Sequence, residues 1–174
     1  AREFGEKRLR ATAADESQPE RRTREIASQL ASAGLLAYSV PPPHGAMDLR
    51  SLVVVRESLA YFSSLADTAF AMQGLGSGPV TLAGNAQQRA HWLPKVARGE
   101  AIAAFALSEP ECGSDVQGIK STARKTDGGD WELNGQKMWV TNGLGSGLVF
   151  VLVKSDPKAE PAYKGMTCFL TDKT

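Results

Sequence analysis

The sequence is poor in the residues that hydrolytic and metal chemistry depend on: its 174 residues include two histidines and two cysteines. His44 follows three prolines and reads as a solvated turn residue, and His91 reads as part of a half-exposed helix face. Neither has a nucleophile with its own loop signature nearby, which excludes a hydrolytic triad. Cys112 and Cys168 lie far apart without metal-type spacing and read as reduced thiols of a cytosol-like compartment. An excess of one charge is missing too. Twenty lysines and arginines against 19 acidic residues leave a net charge of +1, so there is no electrostatic case for nucleic acid or an anionic membrane. No apolar run approaches the ~20 residues that cross a bilayer, and there are no internal repeats. The first residue is not methionine, so both a bacterial-type cytoplasm and, after loss of a targeting segment, a mitochondrial matrix stay open.

What the sequence does have is a 42% hydrophobic content, enough for a core in one ordinary domain or two small ones. Residues 1–100 carry helical periodicity. Ala1 to Asp15 is charged and alanine-rich, a surface helix with Phe4 and Leu9 as its apolar contacts. Pro19 opens a second helix with Ile26, Leu30 and Ala33 on one face and Gly34 as its stop. Val40-Pro41-Pro42-Pro43 makes a rigid connector, since successive prolines remove donors and force extended backbone. Asp48 is placed to cap a third helix through Leu52, Val55, Leu59 and Phe62, and Asp67 a fourth over Thr68 to Gln73. Gly74-Leu75-Gly76-Ser77-Gly78-Pro79 mimics a dinucleotide fingerprint, but that motif must follow a strand and here follows a helix. Asn85 and Gln88 match a capping box for a helix that reaches Pro94, and Gly99 closes the helical half.

From residue 101 the period becomes extended, with strands expected at Ala101 to Leu107, Ile119 to Lys125, Trp131 to Leu133, Gln136 to Thr141, Leu148 to Lys154 and Met166 to Thr171. Asn134-Gly135 is the strongest hairpin signal. Gly143-Leu144-Gly145-Ser146-Gly147 imitates a phosphate loop but leads into a strand, so a hairpin connection is expected. The fold class is therefore α+β, an all-α unit over 1–100 followed by a β-rich unit over 101–174.

The chemistry concentrates between Ile102 and Asp115, where a strand-like run breaks at Ser108-Glu109-Pro110. Glu109, Glu111 and Asp115 fit either an acid-base or hard-metal cluster, or loop carboxylates that cap backbone N–H groups. Ser108, Gly113 and Ser114 offer hydroxyls and close backbone approach, suited to a carbonyl edge or a phosphate. In a strand Lys137, Trp139 and Thr141 would share one face. Trp139 and Thr141 would then either stack on and bond a flat ligand, or form a core tryptophan beside a satisfied threonine.

Phe105-Ala106-Leu107-Ser108-Glu109-Pro110-Glu111-Cys112-Gly113-Ser114-Asp115 resembles the signature of the acyl-CoA dehydrogenases. Asn134-Gly135-Gln136-Lys137-Met138-Trp139-Val140-Thr141-Asn142-Gly143 resembles their second flavin-contacting segment. Ala83 to Arg89 and Asp115 to Lys120 are also similar, most to the medium- and short-chain members. The resemblance implies a helical N-terminal domain and a β-barrel or sandwich middle domain, with a C-terminal helical domain lying beyond this chain. It implies FAD along Phe105, Ala106, Leu107 and Ser108, with Gly113 and Ser114 near the pyrophosphate and Ser114 also approaching the CoA thioester. Trp139 and Val140 would lie by the flavin, and the Thr141 hydroxyl would reach its N5. The implied reaction is α,β-desaturation of an acyl-CoA, with electrons passing to an electron-transferring flavoprotein and the complete enzyme a homodimer or homotetramer. No residue here is a candidate for the base. The family carries it in the C-terminal domain, so it is expected beyond Thr174, and the 174-residue chain alone is expected to be inactive. No metal is implied. Phe105 stands where tyrosine is frequent, Ser108 where threonine is commoner, and Glu111-Cys112 where small residues are usual. A non-catalytic partner subunit, an acyl-CoA oxidase and a flavin monooxygenase are the alternatives on the same fold.

Overall fold

The computed structural model describes residues 1–10 and 18–172. The N-terminal helix begins as α1 (Arg2–Phe4) and widens to a π-helical turn over Gly5–Leu9; Leu9 is buried and Phe4 packs on the same core. The expected continuation to Asp15 lies outside the described residues. So does Thr174, the residue beyond which the base is expected, and the description of the β half ends at Asp172. Helix α2 (Pro19–Ser32) has proline in its first turn and stops ahead of Gly34, whose φ of +70° suits a residue without Cβ. The three prolines do not make an extended spacer. Val40 is extended, but the chain then folds back, with Met47 N–H donating to the Val40 carbonyl and Ala46 N–H to Ala37.

Helix α3 (Leu49–Phe62) starts at Asp48, whose carboxylate accepts from the N–H groups of Arg50 and Ser51. Helix α4 (Ser64–Ala83) differs most from expectation. Its cap is Ser63, accepting from Ala66 N–H, while Asp67 sits in the first turn and takes a two-pronged bond from Arg56 at 2.7 and 2.8 Å. It also does not stop at Gln73. The glycine-rich stretch to Pro79 remains helical because tertiary packing overrides its low propensity. Gly76 lies so close to the sheet that a Cβ there would meet Ala103 at 2.6 Å. Helix α5 (Ala86–Ala97) has the capping box in full, Gln88 N–H to Asn85 and Asn85 N–H back to Gln88, and Gly99 at φ +68° ends the helical half.

The β half is one mixed sheet of β1 (Ala103–Ala106), β2 (Thr122–Lys125), β3 (Trp131–Asn134), β4 (Leu148–Lys154) and β5 (Met166–Asp172). Strand β4 is its spine: parallel to β1 along its first half, touching β2 at Lys154, and antiparallel to β5 throughout. β2 and β3 form a hairpin that turns between Thr126 and Asp130, so Asn134-Gly135, expected as a hairpin turn, instead leads out of β3 into irregular chain. The α+β order of helical then β-rich structure is as expected. The strand expected at Gln136 to Thr141 is absent and that segment is irregular. Among the described residues two main cores result. One joins α2, α3 and α4 through residues such as Leu30, Leu59 and Phe70. The other joins α5 to the sheet through Trp92, Leu93 and Val96 against Leu148 and Phe150.

Candidate ligand site at the open edge of β1

Among the described residues β1 has one strand neighbour, so its far edge is open. Alternate residues of a strand bond to a given neighbour, and the Leu148 N–H bond to the Ile102 carbonyl fixes the phase. Ala104 and Ala106 therefore face β4, whereas the backbone of Ala103 and Phe105 faces the open edge. Ala103 is taken there by two side chains: its N–H donates to Gln73 Oε1 at 2.8 Å and its carbonyl accepts from Asn142 Nδ2 at 3.2 Å. The N–H and C=O of Phe105 point the same way, towards whatever lies on that edge.

Gln73 is what fixes β1 against the helices. It is completely buried in α4, and its amide also donates to the carbonyls of Val96 and Ala101, at 3.2 and 2.8 Å. A buried amide so satisfied ties α4, the end of α5 and the start of β1 into one rigid joint.

Along the open edge runs the segment 137–142, anchored at both ends. Met138 N–H donates to the Ser108 carbonyl at 2.9 Å, Lys137 Nζ to the Leu107 carbonyl at 2.9 Å, and Asn142 to Ala103. Between these ties Trp139 has φ +58° and is 85% exposed. Left-handed backbone costs a residue with a Cβ about 1–2 kcal/mol, and an indole in water forgoes the burial that a tryptophan ordinarily gains. This corrects the expectation that Lys137, Trp139 and Thr141 share a face. Lys137 turns inward, while Trp139 and Thr141 are both exposed; the core reading of Trp139 fails with it. Val140 is half-buried and packs beneath, beside Ala104, Ala106 and Val149.

The other wall is the loop after β1. Glu109 N–H donates to the Cys112 carbonyl and Cys112 N–H returns to Glu109, a tight turn that leaves Gly113 and Ser114 exposed beyond it. A Cβ on Gly113 would stand 3.9 Å from Ser108 Oγ, so the two lie side by side. Phe105, Leu107 and Ser108 are half-buried and Ala106 buried. The structure thus brings the Phe105–Ser108 run, Gly113 and the Trp139–Thr141 bulge around one edge.

Glu109 is the hub beneath them. One oxygen accepts from Lys137 Nζ at 2.8 Å and Ser121 N–H at 3.0 Å, and the other from Lys120 N–H at 2.6 Å. Burial alone would raise its pKa, but the bonds from Lys137, Ser121 and Lys120 outweigh it and hold the carboxyl at about 2. Glu109 is therefore an ionised strut and not a general acid, and Glu111 is paired with Lys120 on the surface. No grouping of three or more metal-ligating side chains exists among the described residues. Sequence reasoning missed Gln73 and Asn142. Their only signal is a polar residue where an apolar one is expected, and an Asn-Gly pair ahead of a loop.

Compared with known proteins, residues 1–100 match the acyl-CoA dehydrogenase N-terminal domain and residues 104–174 the acyl-CoA dehydrogenase middle domain. The chain belongs to the acyl-CoA dehydrogenase family. It is 36% identical over 162 residues to the mitochondrial isovaleryl-CoA dehydrogenase of Pongo abelii, covering 91% of this chain and 38% of that one. Its fold matches the crystal structure of an acyl-CoA dehydrogenase from Geobacillus kaustophilus with a TM-score of 0.84 at 30% identity, over 99% of this chain and 46% of the other. An acyl-CoA dehydrogenase from Bacillus anthracis complexed with FAD superimposes with a TM-score of 0.82 at 31% identity, over 98% and 30% of the two chains. The chain spans less than half the length of each of these relatives.

Proposed function

We propose that this chain forms the flavin-binding part of an FAD-dependent acyl-CoA dehydrogenase that desaturates acyl-CoA thioesters between the α- and β-carbons and passes the electrons to an electron-transferring flavoprotein. The observation that carries this reading is Trp139, an exposed indole on strained backbone, tied at both ends along the open edge of β1. Such strain persists when a structure over-determines it, and it marks binding positions. The residues fit a flat ring with a polar rim and a phosphate tail. Trp139, over Val140, supplies the aromatic surface, while the outward N–H and C=O of Phe105 and the Ser108 hydroxyl suit an edge of alternating donors and acceptors. Ala106 and Leu107 form the floor between them, and exposed Gly113 and Ser114 let backbone N–H groups approach phosphate.

FAD, when bound, supplies the acceptor for the β-hydride at N5. In this reading the Thr141 hydroxyl bonds at that position, and Ser114 also approaches the thioester. The base that takes the α-proton is not assigned to this chain but to a domain beyond Thr174: Glu109 is saturated by donors and Glu111 is paired with Lys120. The reading also includes a division into a helical unit over 1–100 and a β unit over 101–174. It further includes a homo-oligomeric full-length enzyme and a reducing compartment, bacterial cytoplasm or mitochondrial matrix, in which Cys112 and Cys168 stay free.

The test is anaerobic mixing of the FAD-loaded full-length enzyme with a panel of acyl-CoA thioesters. Bleaching of the flavin absorbance with formation of the enoyl-CoA is expected, and an unbleached flavin with every thioester would overturn the reading. The chain ending at Thr174, treated in the same way, should not bleach; if it does, the base lies within it after all.

A further inference from the structure

The glycine-rich loop Gly143 to Gly147 is built on turn bonds, and Arg24 of α2 anchors it to the helical half. The guanidinium grips a single carbonyl with two nitrogens, Nη2 to Gly145 O at 2.9 Å and Nε at 3.3 Å. The fit is close. A Cβ on Gly145 would come within 3.3 Å of Glu20 Cβ and 3.8 Å of Arg24 Nη2, so glycine lets α2 approach. On its other side the loop is tied to the residue ahead of β1 by Gly147 N–H on the Ile102 carbonyl, and to segment 137–142 by Ser146 N–H on the carbonyl of Asn142. Asn142 itself has φ +66° and directly follows Thr141.

From this geometry we infer that Arg24 is a positioning residue for the Trp139–Thr141 wall, acting through the loop and touching no ligand. A planar fork on a carbonyl fixes direction as well as distance, which a lysine cannot do. Arg24 lies on the surface of α2, so its role is to place the loop and not to support the core. The inference rests on the flavin reading for its functional consequence, but the mechanical tie stands independently of it.

The experiment compares wild type, Arg24→Ala and Arg24→Lys in the flavin-free protein and then with FAD. Hydrogen exchange should accelerate in Arg24→Ala at the Ser146 and Gly147 amides and spread to residues 139–142, while the thermal midpoint barely moves. The FAD Kd should rise about five-fold, equivalent to ~1 kcal/mol, with Arg24→Lys in between. Unchanged exchange over 139–147 in Arg24→Ala would overturn the inference, and so would accelerated exchange with an unaltered FAD Kd. If wild type binds no FAD, the flavin reading fails and the exchange data alone decide whether Arg24 holds the wall.

Discussion

Trp139 is held in a conformation that glycine would adopt without strain, and its side chain gains nothing from the flavin-free fold. Trp139→Gly should therefore stabilise the flavin-free protein, or leave it unchanged, by up to about 1 kcal/mol net of glycine's own entropy cost. Thermal unfolding checks this, and a large drop in the midpoint would show that the indole packs after all. Glu109 makes the opposite case. Breaking a buried, hydrogen-bonded ion pair costs about 3–5 kcal/mol, and Glu109→Gln puts an amide donor among donors. Because the folded pKa of about 2 lies below the ordinary 4.5, the carboxylate's contribution is complete above that ordinary value and drains away as pH falls towards 2. The gap in thermal midpoint between wild type and Glu109→Gln should be constant from neutral pH down to the mid-fours and then close; a gap that persists at the acid end would contradict the assignment. At this scale the sequence was half legible. Loop carboxylates that cap N–H groups were one of two readings of Glu109, and its environment decides between them. The direction in which Trp139 points is not legible, because alternation presumes a strand and segment 137–142 has no strand partner, being held by its end ties and the packing of Val140.

Among the elements, α4 shows why local signals stop short. Gly74, Gly76, Gly78 and Pro79 all argue against a helix by propensity, yet the helix persists because Gly76 admits β1 to within van der Waals contact and Gln73 bonds three backbone groups across the junction. Only the partner strand explains the glycine. Gly76→Ala should therefore destabilise despite alanine's better helix propensity, by about 1–3 kcal/mol, since the clash is with the Ala103 backbone as well as its Cβ. Urea unfolding measures it, and a stabilised variant would mean that β1 can retreat. Elements with complete local chemistry were read closely: the α5 capping box and the span of β4 stand where expected. Those whose ends depend on tertiary contacts, such as β1 and β2, are shorter than the spans expected for them.

For the whole molecule, the helical and β halves are joined by a common core. Trp92, Leu93 and Val96 of α5 pack with Leu148 and Phe150 of β4, so the division visible in the sequence as a change of period is bridged by side chains from both sides. Trp92 reports on the helices and Trp131 on the β2–β3 hairpin. Unfolding followed in variants retaining one or the other tryptophan should superimpose as a single cooperative transition, whereas two separated transitions would show that the halves fold independently. The central claim is that the open edge of β1 and the Trp139 bulge together bind a flavin. Its most direct test is equilibrium titration of the flavin-free protein with FAD, comparing wild type with Trp139→Ala. The account predicts saturable one-to-one binding, weakened about ten-fold, or ~1.4 kcal/mol, by loss of the indole; equal affinity in the two proteins, or no saturable binding in wild type, would contradict it.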